Sequence, residues 1–402
     1  MQRNINLNDE LIKQQKFDHI SFRLNFIKDV LRGKEVGSMI DLDNTSHDAS
    51  NNNNKEQDIR KVLNKKYFDF NKIINQIGGK LLYIKSGSTG HTFQGLDPEC
   101  KDENKINYAV KIVAYPKKEN YRDLYDISRP ENAELLMLKV LSYFVVNNHT
   151  PHIVLPICTF NTNIKTFINL PKNNIVNNKK YDQFVKRHKK KEYYDTVSVL
   201  ISEWANGGDL LDYIRNNFKT FTLKHWRILF FQVLSVLAII QEKYPEFRHN
   251  DLKANNLLIQ NIESRNKNNK FKYKINGNTY IVPNIGFQIK LWDFDFACIP
   301  GLVNNSKVSA EWTNRINVKP EKNRYYDVHY FFNTLTRKGF FPEFFTSDLV
   351  PKKAKDFVKR ILPDHYRSGD WIAERGRLLK DIELTTPNEI LKTDPFFEKM
   401  RP

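Results

Sequence analysis

The residues best suited to chemistry are Arg248-His249-Asn250-Asp251-Leu252-Lys253-Ala254-Asn255-Asn256, which run into the apolar segment Leu257-Leu258-Ile259. At this spacing Asp251 can accept or orient the proton of an attacking hydroxyl. Lys253, two residues on, points the same way and can neutralise a transferring phosphate. Asn256 lies one turn further and can offer a neutral oxygen to a divalent cation. A second acidic element, Asp293-Phe294-Asp295, ends the run Ile289-Lys290-Leu291-Trp292 and follows Asp251 by 42 residues. A strand that delivers Asp293 to a turn lets its carboxylate hold a metal ion bridging two phosphates. Singly, each element is an ordinary turn of Asn and Asp. In this order, they point to phosphoryl transfer.

Such chemistry also needs a cation for the phosphates. Lys111, in Tyr108-Ala109-Val110-Lys111-Ile112-Val113, is the candidate, and Glu134 on the segment that follows is its counter-ion. Upstream, Lys85-Ser86-Gly87-Ser88-Thr89-Gly90-His91-Thr92 supplies the second and third glycines of a G-x-G-x-x-G loop, with Lys85 where the first would stand. The backbone around Gly87, Ser88 and Gly90 can come close to phosphates.

The elements that must position these residues change type along the chain. Leu81–Ile84 and Tyr108–Val113 are β-rich runs. A helix is expected over Arg129–Val146, opened by Ser128 and Glu131 at capping-box spacing and continued by Leu135, Leu138, Leu141 and Val145. Strands are expected again at Ile153–Ile157 and Val197–Ile201, and a long buried helix over Thr222–Glu242. A β-rich part followed by a helical part, with a hinge near 204–208, gives an α+β, two-lobed architecture with a cleft between the lobes.

The expected division is an N-terminal extension over 1–77 and one domain over 78–402, its small lobe at 78–203 and its large lobe at 209–402, with insertions at 161–195 and 261–286. Within the extension, polar sequence from Asp43 to Lys55, including Asn51-Asn52-Asn53-Asn54, reads as a flexible linker. Apolar segments at Leu24–Leu31 and Val62–Ile74 flank it as helices that dock on the main domain. In the first insertion, Lys172–Lys191 holds eight Lys or Arg against one Asp, with Tyr181 and Phe184 among the charges.

Three scattered cysteines exclude a disulfide framework or a CxxC metal site and suit a reducing, intracellular setting. No apolar h-region or membrane-length apolar run is read from the sequence, so a soluble chain is expected. The net charge of +18 would suit an anionic partner, although a bias toward Asn, Lys and Ile accounts for it equally well.

Taken together, the motifs resemble the eukaryotic-type protein kinase family over about residues 80–400. His249-Asn250-Asp251-Leu252-Lys253, Asp293-Phe294-Asp295-Phe296 and Tyr325-Tyr326-Asp327-Val328-His329-Tyr330-Phe331-Phe332 are similar to the late serine/threonine kinases of poxviruses and their relatives in large nucleocytoplasmic DNA viruses. The resemblance implies the bilobal kinase fold, ATP with Mg²⁺ (or Mn²⁺ in its place), and protein substrates with Ser or Thr acceptors. It also implies action in the host cytoplasm and the virion.

The resemblance assigns roles to residues: Asp251 and Lys253 catalytic, Asn256 and Asp293 metal-binding, Lys111 and Glu134 on the phosphates. It makes 200–210 a hinge in which backbone groups of Glu203 and Ala205 meet adenine, Asp209 meets ribose, and Ser202 leaves room behind the base. Asp327 would hold the catalytic-loop backbone. Three departures stand out. Asn250 replaces the arginine that grips a phosphorylated activation loop, Asp295 replaces a glycine, and Arg315 falls where the Glu of an A-P-E motif would be. The irregular glycine loop, Asp295 and the missing A-P-E leave one rival reading, a pseudokinase that binds partners without catalysis, and the basic insertion leaves another, a nucleic-acid-binding protein that uses Lys172–Lys191, with Tyr181 and Phe184 stacking on bases.

Overall fold

The computed structural model describes residues 18–42, 58–87, 89–96, 107–171, 176, 178–262 and 270–402. The polar stretch Asp43–Lys55, Ser88 and Cys100 lie outside them.

A five-stranded antiparallel sheet forms the small lobe, in the order β1-β2-β3-β5-β4: β1 Lys80–Ser86, β2 Gly90–Leu96, β3 Asn107–Pro116, β4 Pro156–Asn163 and β5 Tyr193–Glu203. The period-2 pattern of β3 dictates its orientation. Tyr108, Val110, Ile112 and Ala114 are buried on one face, which turns Lys111 to the other. Three helices of the N-terminal segment, α1 Asp18–Leu31, α2 Ile59–Val62 and α3 Phe70–Ile77, share the sheet's hydrophobic core. Backbone bonds fasten them, from Met39 N–H to the Ile157 carbonyl (3.0 Å) and from Phe68 N–H to the Asn161 carbonyl (2.9 Å). Lys65, between α2 and α3, is buried behind the sheet and donates to the Tyr115 hydroxyl (2.8 Å) and Ser198 Oγ (2.7 Å).

Helix α4, Pro130–Val146, begins without the capping box expected from Ser128 and Glu131. Proline disfavours helical backbone in the residue before it, so Arg129 is extended (φ −59°, ψ 134°) and becomes the N-cap. Ser128 is then one residue too early, and its hydroxyl bonds Asp126 instead. The Glu131 carboxylate turns back to Arg129 Nε at 2.9 Å. The strand expected at Ile153–Ile157 is also displaced. Leu155 N–H is taken by the Glu203 side chain (2.9 Å), so regular pairing starts at Pro156.

The first insertion contains helix α5, Lys165–Ile168, and its basic segment is helical over most of its described residues. Its helix α6, Lys179–Lys189, is capped by Asn178 and lays Tyr181 and Phe184 on the sheet. Phe184 is fully buried, 4.4 Å from the His91 ring and 5.4 Å from Tyr193 between centroids. Burial lowers the His91 pKa to about 4, so a neutral ring meets these aromatics. The base-stacking reading is corrected accordingly: both aromatic rings are already packed in the core, and the exposed positions of the helix are charged or polar.

The large lobe is built on α8, Leu223–Lys243, which follows α7, Leu210–Asn217. Among the described residues α8 is the one helix long and apolar enough to cross a membrane, and it is mostly sheathed by the lobe. Two short sheets follow: β6 Leu257–Asn261 with β9 Phe287–Leu291, which connect the two acidic motifs, and the hairpin β7 Lys270–Ile275 with β8 Asn278–Pro283 in the second insertion, which packs on α8 through Tyr273 and Tyr280. Helices α9 Glu311–Asn314, α10 Tyr326–Leu335, α11 Glu343–Thr346, α12 Lys352–Ile361 and α13 Pro387–Thr393 complete the lobe. The α+β bilobal fold expected from the sequence is the observed one.

Phe184→Ala should open a cavity under α6 and cost about 3 kcal/mol of stability, read as a lowered denaturant midpoint. It should leave retention of the protein on DNA unchanged.

Candidate active site

A cleft of about 840 Å³ separates the lobes, and Lys85, Gly87, Gly90, Lys111, Glu134, Glu203, Ala205, Asp209, Asn256 and Asp293 all line it. The sequence reading therefore brought together residues spread over some 200 positions. Lys111 is central. Its Nζ lies 2.6 Å from Glu134 Oε1 on α4 and 3.3 Å from Asp293 Oδ1 beyond β9. Burial alone would lower the lysine pKa, but the two carboxylates outweigh it and hold it above its ordinary value. Asp293 is likewise pushed up by burial, yet Lys111 and then His249 bring it below the usual carboxylate range.

Asp293 has a left-handed backbone (φ +62°), a conformation uncommon for a residue with a side chain. The surrounding bonds fix it. His249 Nε2 lies 3.0 Å from the Trp292 carbonyl, and Trp292 N–H donates to the Asn256 carbonyl at 3.2 Å. The metal-binding candidate is thus tied directly to the loop that carries Asp251.

That loop is pinned from below. Asp327, on α10, accepts from His249 N–H (2.7 Å) and Asn250 N–H (2.9 Å), the backbone role expected for it. Asp251 Oδ2 accepts from Lys253 Nζ (2.8 Å) and Asn256 Nδ2 (2.9 Å), which leaves the Asn256 amide oxygen as the end able to hold a cation. Asn250, at φ +62°, suits a position where asparagine is enriched. Its side chain donates to the carbonyls of Phe296 (3.1 Å) and Lys319 (3.2 Å), so the segment after Asp293 is held by direct bonds with no phosphate involved. Asp295 pairs with Lys307. Arg315 lies on the surface beside Glu311 at 3.4 Å and ties nothing to the core.

The glycines divide by physical cause. A Cβ on Gly90 would sit 1.7 Å from the Ile112 carbonyl oxygen, so β2–β3 pairing alone demands glycine there. Gly87 N–H donates to the Gly90 carbonyl (2.8 Å) and closes the turn. Ser88 lies outside the described residues. At the hinge, Glu203 N–H is already given to Leu155 (3.0 Å), which leaves its carbonyl and the backbone of Ala205 for a base. Asp209 caps α7 by accepting from Asp212 N–H (3.0 Å), so only part of its carboxylate can face a ribose.

Sequence reasoning missed the residues that hold this framework. The buried Glu203 carboxylate is gripped by Arg23 from α1 (Nη2 to Oε1, 2.5 Å) and by Lys290 from β9 (2.9 Å). Arg23 also donates to the carbonyls of Pro151 (2.9 Å) and Ile153 (2.6 Å). Burial would raise the Glu203 pKa, but the two cations lower it to about 2. Arg377 contacts Asp251 from the far end of the chain. No motif marks any of these arginines, because each finds its partner only through the fold.

A family profile described as poxvirus serine/threonine protein kinase matches residues 104–355. The chain is 47% identical over 386 residues to a protein of Acanthamoeba polyphaga mimivirus named as a serine/threonine-protein kinase, covering 94% of this chain and 80% of the relative. A second mimivirus protein of the same description is 27% identical over 265 residues, covering 56% and 64%. A Dictyostelium discoideum protein named as a serine/threonine-protein kinase is 34% identical over 142 residues, 35% of this chain and 11% of that one.

Arg23→Ala removes one partner of a buried ion pair and should destabilise the protein by about 3 kcal/mol. The Glu203 carboxyl titrates near 2 when folded and at 4.5 ordinarily, so its stabilisation is complete above pH 4.5 and is lost as pH falls toward 2. Thermal melts of Arg23→Ala over that range should show a flatter acid dependence than the parent.

Proposed function

Because the chain belongs to the poxvirus serine/threonine protein kinase family, we propose that the cleft residues divide the work of phosphoryl transfer as follows. Lys111, positioned by Glu134, holds the ATP phosphates, and the turn from Lys85 to Gly90 covers them. Glu203 and Ala205 present backbone groups to adenine, and Asp209 faces the ribose. Asp251 orients the Ser or Thr hydroxyl and takes its proton as the new oxygen–phosphorus bond forms. The bond from the γ-phosphorus to its bridging oxygen breaks in the same event, and ADP leaves with that electron pair. Lys253 neutralises charge on the group in flight.

The family uses ATP and a divalent metal, and Mg²⁺ is the ion proposed here. Asp293 and the Asn256 amide oxygen are hard oxygen donors converging on the cleft, which suits Mg²⁺, an ion that takes few protein ligands. When bound, the ion neutralises phosphate charge. The chain is a serine/threonine kinase of viral origin acting on protein substrates. Its place of action is proposed to be the host cytoplasm and the virion, a reading supported by its viral relatives.

The observation that carries the assignment is the Lys111 ammonium seated between Glu134 and Asp293, 2.6 and 3.3 Å away. This contact joins strand, helix and metal-binding turn in one arrangement, which favours catalysis over a pseudokinase.

In purified protein given labelled ATP, Mg²⁺ and casein or virion proteins, Asp293→Ala should lose at least about 10³-fold in transfer while still melting as a folded protein. Transfer at parental rates by folded Asp293→Ala would remove the metal-binding role. Label should appear on serine and threonine.

A further inference from the structure

The loop between α12 and α13 carries Arg377, whose side chain is almost fully buried beneath the catalytic loop. One branch of the guanidinium donates to the Asn250 carbonyl and to the Tyr326 hydroxyl (3.1 Å), and the other donates to Asp251 Oδ1. The guanidinium carbon stands 4.1 Å from the centre of the Tyr330 ring. Burial would lower the arginine pKa, but Tyr326, Tyr330 and Asp251 outweigh it, so the cation is permanent.

We propose that Arg377 is the positioning residue for Asp251, setting the carboxylate's rotation and the height of its loop for transfer to the acceptor hydroxyl. The inference rests on the reading of Asp251 given above. Three features support it. First, Asp251 Oδ2 is occupied by Lys253 and Asn256, so Oδ1 is the oxygen left to meet a substrate. A carboxylate oxygen accepts two hydrogen bonds, and Arg377 takes one, leaving the other direction for the hydroxyl.

Second, the planar guanidinium holds the carboxylate and the preceding carbonyl as one unit, which a point charge on a flexible stem does not. The Asn250 peptide, left-handed at φ +62°, is thereby fixed on both sides, with its N–H on Asp327 and its carbonyl on Arg377. Third, the loop is itself anchored. Ala373 N–H donates to the Arg377 carbonyl (2.8 Å), and Asn317 Nδ2 donates to the Leu378 carbonyl (2.9 Å). Asn317 lies in the segment after Asp293, and its own carbonyl accepts from Arg248 (2.7 Å). The C-terminal loop, the segment after Asp293 and the catalytic loop are therefore coupled without a phosphorylated residue.

The test is steady-state kinetics of Arg377→Lys and Arg377→Met on a protein substrate, with melting temperatures measured alongside. A small displacement of a reacting group costs about 100-fold, so Arg377→Met should lose about that much kcat. Arg377→Lys keeps charge without the fork and should lose a smaller factor of kcat, about 10-fold. KM for ATP should stay within about twofold in both, because Lys111, Glu134 and the hinge are untouched. Wild-type kcat in folded Arg377→Lys and Arg377→Met would overturn the proposal, as would a loss of kcat matched by a proportional rise in KM for ATP. If Arg377→Met does not fold, Arg377→Lys decides alone, and parental kcat in it would overturn the inference. Asp251→Asn separates the two levels. An inactive Asp251→Asn with parental Arg377 variants rejects Arg377 only, whereas an active Asp251→Asn rejects the reading of Asp251 itself.

Discussion

The Lys111 ammonium is the point on which the two lobes agree. It stands on the small-lobe sheet, takes one carboxylate from α4 and a second from the turn after β9 in the large lobe. A cation in a half-buried cleft must be compensated, and here the compensating groups are the same ones proposed to serve ATP and its metal. Shifting α4 or the Asp293 turn would strand a charge, so the electrostatic requirement and the catalytic geometry select one arrangement of the lobes.

The same rule recurs at each buried carboxylate. Glu203 at the hinge is met by Arg23 and Lys290, Asp251 by Lys253 and Arg377, and Asp327 by backbone N–H groups of the catalytic loop. Apart from Lys253, two residues from Asp251, each partner comes from a distant part of the chain. An unpaired charge at any of these sites would cost several kcal/mol, so they are constraints on topology as well as sources of stability. The N-terminal helices are drawn into the kinase framework by one such constraint, because Arg23 reaches the hinge from a segment outside the match to the family profile.

The segment after Asp293 shows how the fold is held without a phosphate. Asn250 donates to Phe296 and Lys319, and Asp295 pairs with Lys307. A phosphorylated residue gripped by an arginine orders such a segment by creating charge-assisted bonds. Neutral amide bonds and a local ion pair perform the ordering here, so the catalytic loop is set by folding itself.

Motif and periodicity were enough to give the two-lobed class and to select candidate residues that the fold brings to one cleft. Those features depend on side-chain type at fixed local spacing, as the alternation around Lys111 shows. Local reading failed where two local rules competed or a remote group intervened. Pro130 overrode the Ser128 cap, the Glu203 side chain took the Leu155 N–H from a strand, and the rings of α6 found a core that their basic neighbours concealed. Arg23, Lys65, Lys290 and Arg377 were illegible for a different reason. A buried charge declares its purpose only through its partner, and these partners lie tens to hundreds of residues away. Chemistry was written in the sequence, whereas the devices that hold it in place belong to the tertiary structure.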